Sequence, residues 1–119
     1  MGRTDVQAKI IGEIESREYT FLVDTGATHV ALPLEEIEAL GLRPALGKLR
    51  MRSATGIVEL ETYHFDGELL GRWFGGILVP ASTPLIGYEA LENMQFRVNA
   101  VSQQIEPVPD DVIHPPFLL

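Results

Sequence analysis

Polar and apolar residues alternate over most of this chain, which is typical of β-strands with one buried face. Residues 6–14 and 19–23 are rich in β-branched and aromatic side chains. The segment 15–18 between them is polar and is predicted to form a turn. We therefore expect the chain to begin with a β-hairpin.

Further strand-like segments continue this pattern along the chain. They cover residues 29–32, 48–53, 57–60, 63–70, 73–79, 96–99 and 104–108. The second and third of these segments are predicted to pair as a hairpin, and the last two as a closing hairpin.

Two short helices are predicted among the strands. Leu34, Ile37 and Leu40 recur at helical spacing, and Gly41 follows them as a natural stop. Residues 88–93 suit a second helix of similar length.

The elements together predict a mostly β protein whose sheet closes into a barrel-like fold with one or two short helices. Residues 1–109 are expected to form a single domain, because 119 residues leave no room for two ordinary cores. The proline-rich segment 110–119 is predicted to be a tail that is mobile or docks at an interface.

Composition excludes several classes of protein. The formal net charge of −8 repels phosphate backbones, so we expect no nucleic-acid partner. Apolar runs are far shorter than the roughly 20 residues that span a bilayer, so we expect no membrane segment. The chain has no cysteine, which excludes disulfides and thiolate metal sites. It begins with no apolar stretch of signal-peptide length, and a cytoplasmic location is the expectation.

One carboxylate interrupts the apolar pattern at the end of the second predicted strand. The apolar residues 21–23 are expected inside, and Asp24 follows them directly. An ionised carboxylate beside buried side chains is unfavourable unless it is compensated. Asp24 is therefore either a structural cap in a turn with Thr25-Gly26 or part of a reactive site.

Two further features accompany this carboxylate. Ala54-Thr55-Gly56 stands at the tip of the second predicted hairpin, and Leu85-Ile86-Gly87 precedes the second predicted helix. In this combination and order, the chain resembles the retropepsin-like aspartic proteases, particularly their small stand-alone microbial members. The resemblance covers roughly residues 6–108.

The resemblance implies a role for each residue of the loop that begins at Asp24. Asp24 would supply a catalytic carboxylate, and Ala27 would belong to the supporting loop. Thr25 would bond across to the matching loop of another subunit, and Gly26 would permit a sharp turn and a close approach. Thr28 would place a hydroxyl behind the carboxylate and orient it.

Other parts of the resemblance concern the surroundings of the loop. Leu85 and Ile86 would pack beneath it, and Gly87 would permit a close crossing of chain segments. The hairpin at Ala54-Thr55-Gly56 would be a flap that clasps an extended peptide and excludes water. Tyr88 follows Gly87 where retroviral enzymes have a basic residue, so the intersubunit ion pair of those relatives is not expected here.

The number of catalytic loops predicts the assembly. Two carboxylates that share one proton can act as base and acid in amide hydrolysis, because such close like charges cannot both ionise. The sequence contains Asp-Thr-Gly once and no Asp-Ser-Gly. The active form is therefore predicted to be a homodimer with one Asp24 from each subunit. The resemblance adds that residues 6–10 and 104–108 are candidates for interface strands.

Alternatives remain open at the level of sequence. A dimeric peptide-binding module with the same fold and no turnover is the main rival, since fold alone does not imply chemistry. A domain excised from a longer polypeptide is a further possibility. His29 lies near Asp24, but no nucleophilic serine adjoins it, and it is interpreted as a surface or strand histidine. Neither a metal nor an organic cofactor is implied.

Overall fold

A computed structural model of the chain describes residues 4–24, 27–53, 55–93, 96–99 and 101–108. It contains nine β-strands and two short helices in these ranges. The strands are β1 (Asp5–Ile11), β2 (Ser16–Asp24), β3 (Val30–Leu32), β4 (Pro44–Ser53), β5 (Gly56–Leu69), β6 (Arg72–Pro80), β7 (Leu85–Gly87), β8 (Phe96–Asn99) and β9 (Gln104–Pro107). The helices are α1 (Leu34–Leu40) and α2 (Tyr88–Asn93).

Six strands close into a barrel. Their order around the barrel is β1-β2-β7-β3-β6-β5, and β5 pairs with β1 to complete it. Strand β4 extends this sheet outward from β5, while β8 and β9 form a separate two-stranded sheet. The fold is therefore mostly β and closed, and this prediction is confirmed.

The barrel interior holds the hydrophobic core, to which α1 also contributes two buried residues, Ile37 and Leu40. Strand β2 shows how the alternation orients its side chains. Phe21 and Val23 are buried, whereas Leu22 and Asp24 are half-buried on the other face. The expectation that residue 22 lies inside with its neighbours is wrong, because successive strand residues point to opposite faces. Asp24 therefore does not enter the core.

A charged cluster fixes α1 to β2. The Glu36 carboxylate accepts hydrogen bonds from Tyr19 Oη and from Arg17 Nη1, both at 2.8 Å. These two bonds, led by that from Tyr19, lower the pKa of Glu36 below its usual value. Burial, followed by the bond to Glu36, raises the pKa of Tyr19. The helix ends at Gly41, which adopts a left-handed conformation with φ of 75°.

The first hairpin turns earlier than predicted. Its turn runs from Gly12 to Glu15, closed by a 2.9 Å hydrogen bond from the Gly12 amide to the Glu15 carbonyl. Residues 16–18, predicted as turn, instead begin β2 and pair with β1. Their polar side chains belong to an exposed stretch of strand, which the composition of the segment did not distinguish from a turn.

The predicted tail, residues 110–119, lies outside the described residues. Within the part that the structure describes, no helix is long and apolar enough to cross a membrane. The same residues contain no group of three or more His, Asp or Glu side chains suited to hold a metal ion.

Candidate active site

Asp24 is the last residue of β2, where the strand meets β7 from a distant part of the sequence. The two strands run parallel, with Leu22 beside Leu85, Val23 beside Ile86 and Asp24 beside Gly87. Ile86 is fully buried, so the Leu85–Gly87 segment anchors the end of β2 in the core. The structure thus brings together two of the sequence features that were singled out for chemistry.

The chain turns back immediately after Asp24. The Ala27 amide donates a hydrogen bond to the Asp24 carbonyl at 3.1 Å, and the Tyr88 amide donates to the Ala27 carbonyl at 3.2 Å. The loop is therefore tied both to its own strand and to the junction of β7 with α2. Thr25 and Gly26 lie outside the described residues, and their roles stay predictions.

Gly87 lies where these segments cross. A Cβ atom at this position would stand 2.5 Å from the Ala27 carbonyl oxygen and 2.7 Å from the Thr28 carbonyl oxygen. Real Cβ contacts do not come this close, so a side chain here would displace backbone atoms of the loop. Glycine at position 87 therefore allows β7 to approach the loop.

The residues predicted to form the flap lie at the tip of the β4–β5 hairpin. Ser53 pairs with Gly56, so two residues connect the strands. Ala54 lies outside the described residues, whereas Thr55 and Gly56 are exposed. Gly56 has a φ of 133°, which favours glycine, and Ile57 beside it is 61% exposed. The tip thus presents apolar surface to solvent, and its role as a flap stays a prediction.

His29 links the loop to the base of this hairpin. It lines a cavity of about 210 Å³ together with Lys48, Leu49 and Thr62 of the hairpin. His29 also lines a cavity of about 350 Å³ together with Thr28, aromatic residues and other apolar side chains. Thr28 is exposed, and its predicted hydrogen bond to Asp24 stays a prediction.

His29 directly precedes β3 and is half-buried, which is compatible with its interpretation as a strand or surface histidine. Its Nδ1 is buried and is without a hydrogen-bond partner among the described residues. Nothing in the sequence signalled the burial of this atom, because the cavities that His29 lines are formed with residues of β4, β5 and β6 that are distant in sequence.

A larger cavity than these two lies elsewhere. It has a volume of about 450 Å³ and is formed by the β1–β2 turn, the segment after α1 and the middle of β5. None of the predicted site residues lines it.

The arrangement around Asp24 offers one half-buried carboxylate on a tightly held loop. A single carboxylate can accept or donate one proton, but it cannot serve as base and acid at once. Reaction chemistry that needs both roles requires a second group that can hold or release a proton.

Known proteins resemble the chain in sequence and in fold. A family model described as gag-polyprotein putative aspartyl protease matches residues 10–74, more than half of the chain, including Asp24 and the β4–β5 hairpin. A search of curated proteins gives no match. The structure of EIAV protease complexed with the inhibitor HBY-793 is similar with a TM-score of 0.62 and 18% identity, covering 78% of this chain and 88% of that chain. The solution structure of simian foamy virus (mac) protease has a TM-score of 0.56 and 18% identity, covering 75% of this chain and 92% of that chain.

Proposed function

Because the chain belongs to the gag-polyprotein putative aspartyl protease family, we propose that it is an aspartic endopeptidase that works as a homodimer, with Asp24 as its catalytic residue. The observation that carries this proposal is the pairing of Asp24 with Gly87 at the parallel contact of β2 and β7. Backbone hydrogen bonds from the Ala27 amide to the Asp24 carbonyl and from the Tyr88 amide to the Ala27 carbonyl hold the loop that follows this carboxylate, which supports the assignment.

Two Asp24 carboxylates, one from each subunit, would lie together at a twofold axis. One carboxylate, ionised, would take a proton from the attacking water, while the other, protonated, would donate a hydrogen bond to the carbonyl oxygen of the scissile amide. The pair holds one proton in common because two like charges so close cannot both ionise. The water oxygen bonds to the amide carbon, and the proton taken from the water passes to the leaving amine as the carbon–nitrogen bond breaks.

Support for the dimer comes from the number of catalytic loops and from the strands that do not take part in closing the barrel. The chain supplies one Asp-Thr-Gly, so a pair needs two chains. Lys9–Ile11 of β1 already pair with β2 on one side and β5 on the other. Residues 6–8 of β1, which pair with β2 and not with β5, and the separate two-stranded β8–β9 sheet are therefore the candidate interface strands.

The β4–β5 hairpin would cover an extended peptide in the cleft. Leu49 lies opposite Leu60 in the hairpin, so one of its faces is apolar there, whereas the next pair, Lys48 and Glu61, is charged and points the other way. The apolar face suits the side chains of a bound peptide, and the hairpin backbone suits hydrogen bonds to an extended chain.

Replacement of Asp24 by Asn tests the proposal directly. Asn keeps the size of the side chain but cannot share the proton, so D24N should lose peptide cleavage completely while its unfolding curve and dimerisation remain those of the wild type. Cleavage products should be measured by mass spectrometry over a peptide library at pH 4–7, with and without pepstatin. Cleavage that persists in D24N would eliminate the proposal.

The pH dependence gives a second measurement on the same sample. A carboxylate pair titrates in two macroscopic steps that belong to the pair, so the rate should follow a bell-shaped profile on the acidic side of neutrality. A rate that stays constant up to pH 8 is incompatible with a shared proton. Peptides that bind but are never cleaved by the wild type would instead identify a peptide-binding module.

A further inference from the structure

Trp73, the single tryptophan of the chain, lies on the outer face of the barrel and is 67% exposed. An isolated exposed apolar side chain needs no special explanation on a protein surface. Trp73 differs from such a residue because its ring is held in one orientation and is bordered by carboxylates. The peptidase mechanism proposed above gives it no role.

Strand register places Trp73 on the same face of the sheet as two acidic residues. Trp73 lies directly opposite Glu68 in the β5–β6 pair, and Asp66 precedes Glu68 by two residues on β5. Directly opposite residues share a face, and so do residues two apart in a strand. All three side chains are exposed, whereas Phe65 and Phe74 of the same strands are buried on the other face. The indole and both carboxylates therefore lie on the solvent side of the sheet.

Two contacts hold the indole ring of Trp73 in place. Its Nε1 donates a hydrogen bond to Asp66 Oδ1 at 3.2 Å. A Cβ atom at Gly75 would lie 2.6 Å from Cζ2 and 3.2 Å from Cη2 of the ring, so the indole lies close over this glycine. One face of the ring is thus turned to the strand, and the high exposure leaves the other face open to solvent. A ring that is already ordered loses little further conformational entropy when a ligand stacks on it.

The surroundings of the ring are acidic. Lys9 of β1 lies opposite Glu68 on one side and opposite Glu18 of β2 on the other. Together with Asp66, these neighbours place three carboxylates and one ammonium group on this part of the outer face. Among the residues that the structure describes, no ion pair within 4 Å joins Lys9 to either glutamate. The net charge of −8 adds a long-range field that attracts cations.

This surface extends beyond the candidate active site. Trp73 and Gly75 also border the 350 Å³ cavity that Thr28 lines, but neither Asp66 nor Glu68 is among the described residues that line it. The two carboxylates therefore mark a surface outside the cavity that reaches the catalytic loop.

We infer that Trp73, Asp66 and Glu68 form a docking site for an arginine or lysine side chain of a partner polypeptide. A cation over the open face of an aromatic ring is attracted by its π electrons, and tryptophan is the best aromatic residue for this contact. Arginine suits the site particularly, because its planar guanidinium can stack on the ring while its N–H groups donate to a carboxylate. An uncharged ligand could stack on the ring but would gain no charge attraction. The inference concerns recruitment of a partner and is independent of the proposed peptidase function.

The single tryptophan makes fluorescence a local probe of this site. D24N protein, chosen so that no probe is cleaved, should be titrated with a peptide that carries arginine at alternate positions. The citrulline counterpart of this peptide keeps its shape and removes its charge. The arginine peptide should change the emission of Trp73 saturably, with a Kd about fivefold lower than that of the citrulline peptide. This advantage should shrink between about 0.02 M and about 0.5 M salt, because exposed charges are screened.

Variants in the D24N background separate the ring from the carboxylates, with the anisotropy of a labelled arginine peptide as the measurement. Trp73→Leu should weaken binding about threefold or more, and Trp73→Phe, which keeps an aromatic face, should weaken it less. Asp66→Asn can still accept the indole hydrogen bond, so it should weaken binding of the arginine peptide and leave the citrulline peptide unchanged. Glu38→Gln removes the same charge from an exposed position of α1 and should leave the arginine preference unchanged.

The outcomes that overturn the inference are distinct from a loss of fold. Because Trp73 is exposed, the unfolding midpoint of Trp73→Leu should equal that of its D24N parent. If it falls, the comparison of Asp66→Asn with Glu38→Gln still decides. Equal Kd values for the arginine and citrulline peptides, or equal losses in these two charge variants, would overturn the inference. A blue shift of the emission that grows with protein concentration and excludes the arginine peptide would show that a second copy of the chain covers Trp73, and would overturn it as well.

Discussion

The two halves of the candidate site are built in opposite ways. The floor, made of Asp24, Ala27, Thr28 and β7, is held by parallel strand pairing and by a crossing that only glycine permits. The hairpin tip, made of residues 52, 53 and 55–58, projects beyond the barrel. A Cβ atom at Gly56 would meet nothing within 4 Å, and Ile57 is mostly exposed.

This difference matches two tasks, which are to hold the catalytic carboxylate in place and to cover a bound peptide. A catalytic carboxylate must stay within a fraction of an ångström of its productive position, which requires close packing around it. A hairpin that admits and releases a peptide benefits from few packing contacts, because elements that move are drawn from the less stable parts of a fold. The same substitution should therefore have a very different cost in the floor and at the tip.

The largest difference in the free energy of unfolding is expected between two isoleucine-to-alanine variants, one in the floor and one at the tip. Ile86 is 0% exposed in the floor, so I86A should lower the free energy of unfolding by about 2–5 kcal/mol through lost burial and a cavity. Ile57 is exposed at the tip, and I57A should change it by less than about 0.5 kcal/mol. Urea denaturation at one fixed protein concentration measures both. Equal losses for the two variants would mean that the floor is not anchored through β7.

The sequence predicted those parts of the fold that depend on residues close together along the chain. Alternation and helical spacing correctly predicted α1 and α2, because these patterns are local. The closed sheet followed from the number of strands. The pairing of Val23 with Ile86 joins segments that no local pattern connects, and only the family resemblance suggested that Leu85–Gly87 lies beneath the loop.

One misjudged region and one unpredicted environment have the same physical origin. Residues 16–18 were predicted as turn because they are polar, but exposed positions in a strand are polar too. The turn occurs at Gly12, where a side chain would strike the Leu40 carbonyl, a contact with α1 that the local sequence does not reveal. The cavities that His29 lines are likewise formed with residues of β4, β5 and β6, which its neighbours in sequence do not reveal.

The second contrast concerns two glycines. G87A should lower the free energy of unfolding by up to about 3 kcal/mol, near the upper end for overpacking, because its new methyl group meets backbone atoms. G56A meets no atoms but must hold a φ of 133°, which costs about 1 kcal/mol at a tip that can relax. Urea denaturation gives both values, and cleavage by refolded G87A should be lost even where the protein remains folded.

The outcome of this pair has a clear alternative. If G87A unfolds like the wild type, the loop after Asp24 must be able to move away from β7 without cost. The floor would then not fix the position of the Asp24 carboxylate. The proposed difference between a tightly packed floor and a loosely packed hairpin tip would be wrong at Asp24.

The smallest difference in the free energy of unfolding is expected between variants of two charged clusters, one that supports β2 and one in the β4–β5 hairpin. Glu36 accepts hydrogen bonds from Tyr19 and Arg17 and ties α1 to β2, the strand that ends at Asp24. In the hairpin, Lys48 and Glu61 form only an exposed pair at 3.7 Å. We expect E36Q to lower the free energy of unfolding at pH 7 by less than I86A does, and K48M to change it by less than about 0.5 kcal/mol.

The contribution of Glu36 to the free energy of unfolding should depend on pH. A lowered pKa means that ionised Glu36 stabilises the folded state above its ordinary pKa of 4.5, and that this contribution disappears as the pH falls through the lowered value. The stability difference between wild type and E36Q should therefore be constant from pH 7 to about pH 5 and shrink below pH 4.5. Y19F removes the hydrogen bond that contributes most to the lowered pKa of Glu36. The stability difference between wild type and Y19F should therefore also shrink below pH 4.5, but by less than the difference between wild type and E36Q. Urea denaturation from pH 3 to pH 7 measures these curves, and a difference between wild type and E36Q that grows on acidification would show that Glu36 does not stabilise β2 in its ionised form.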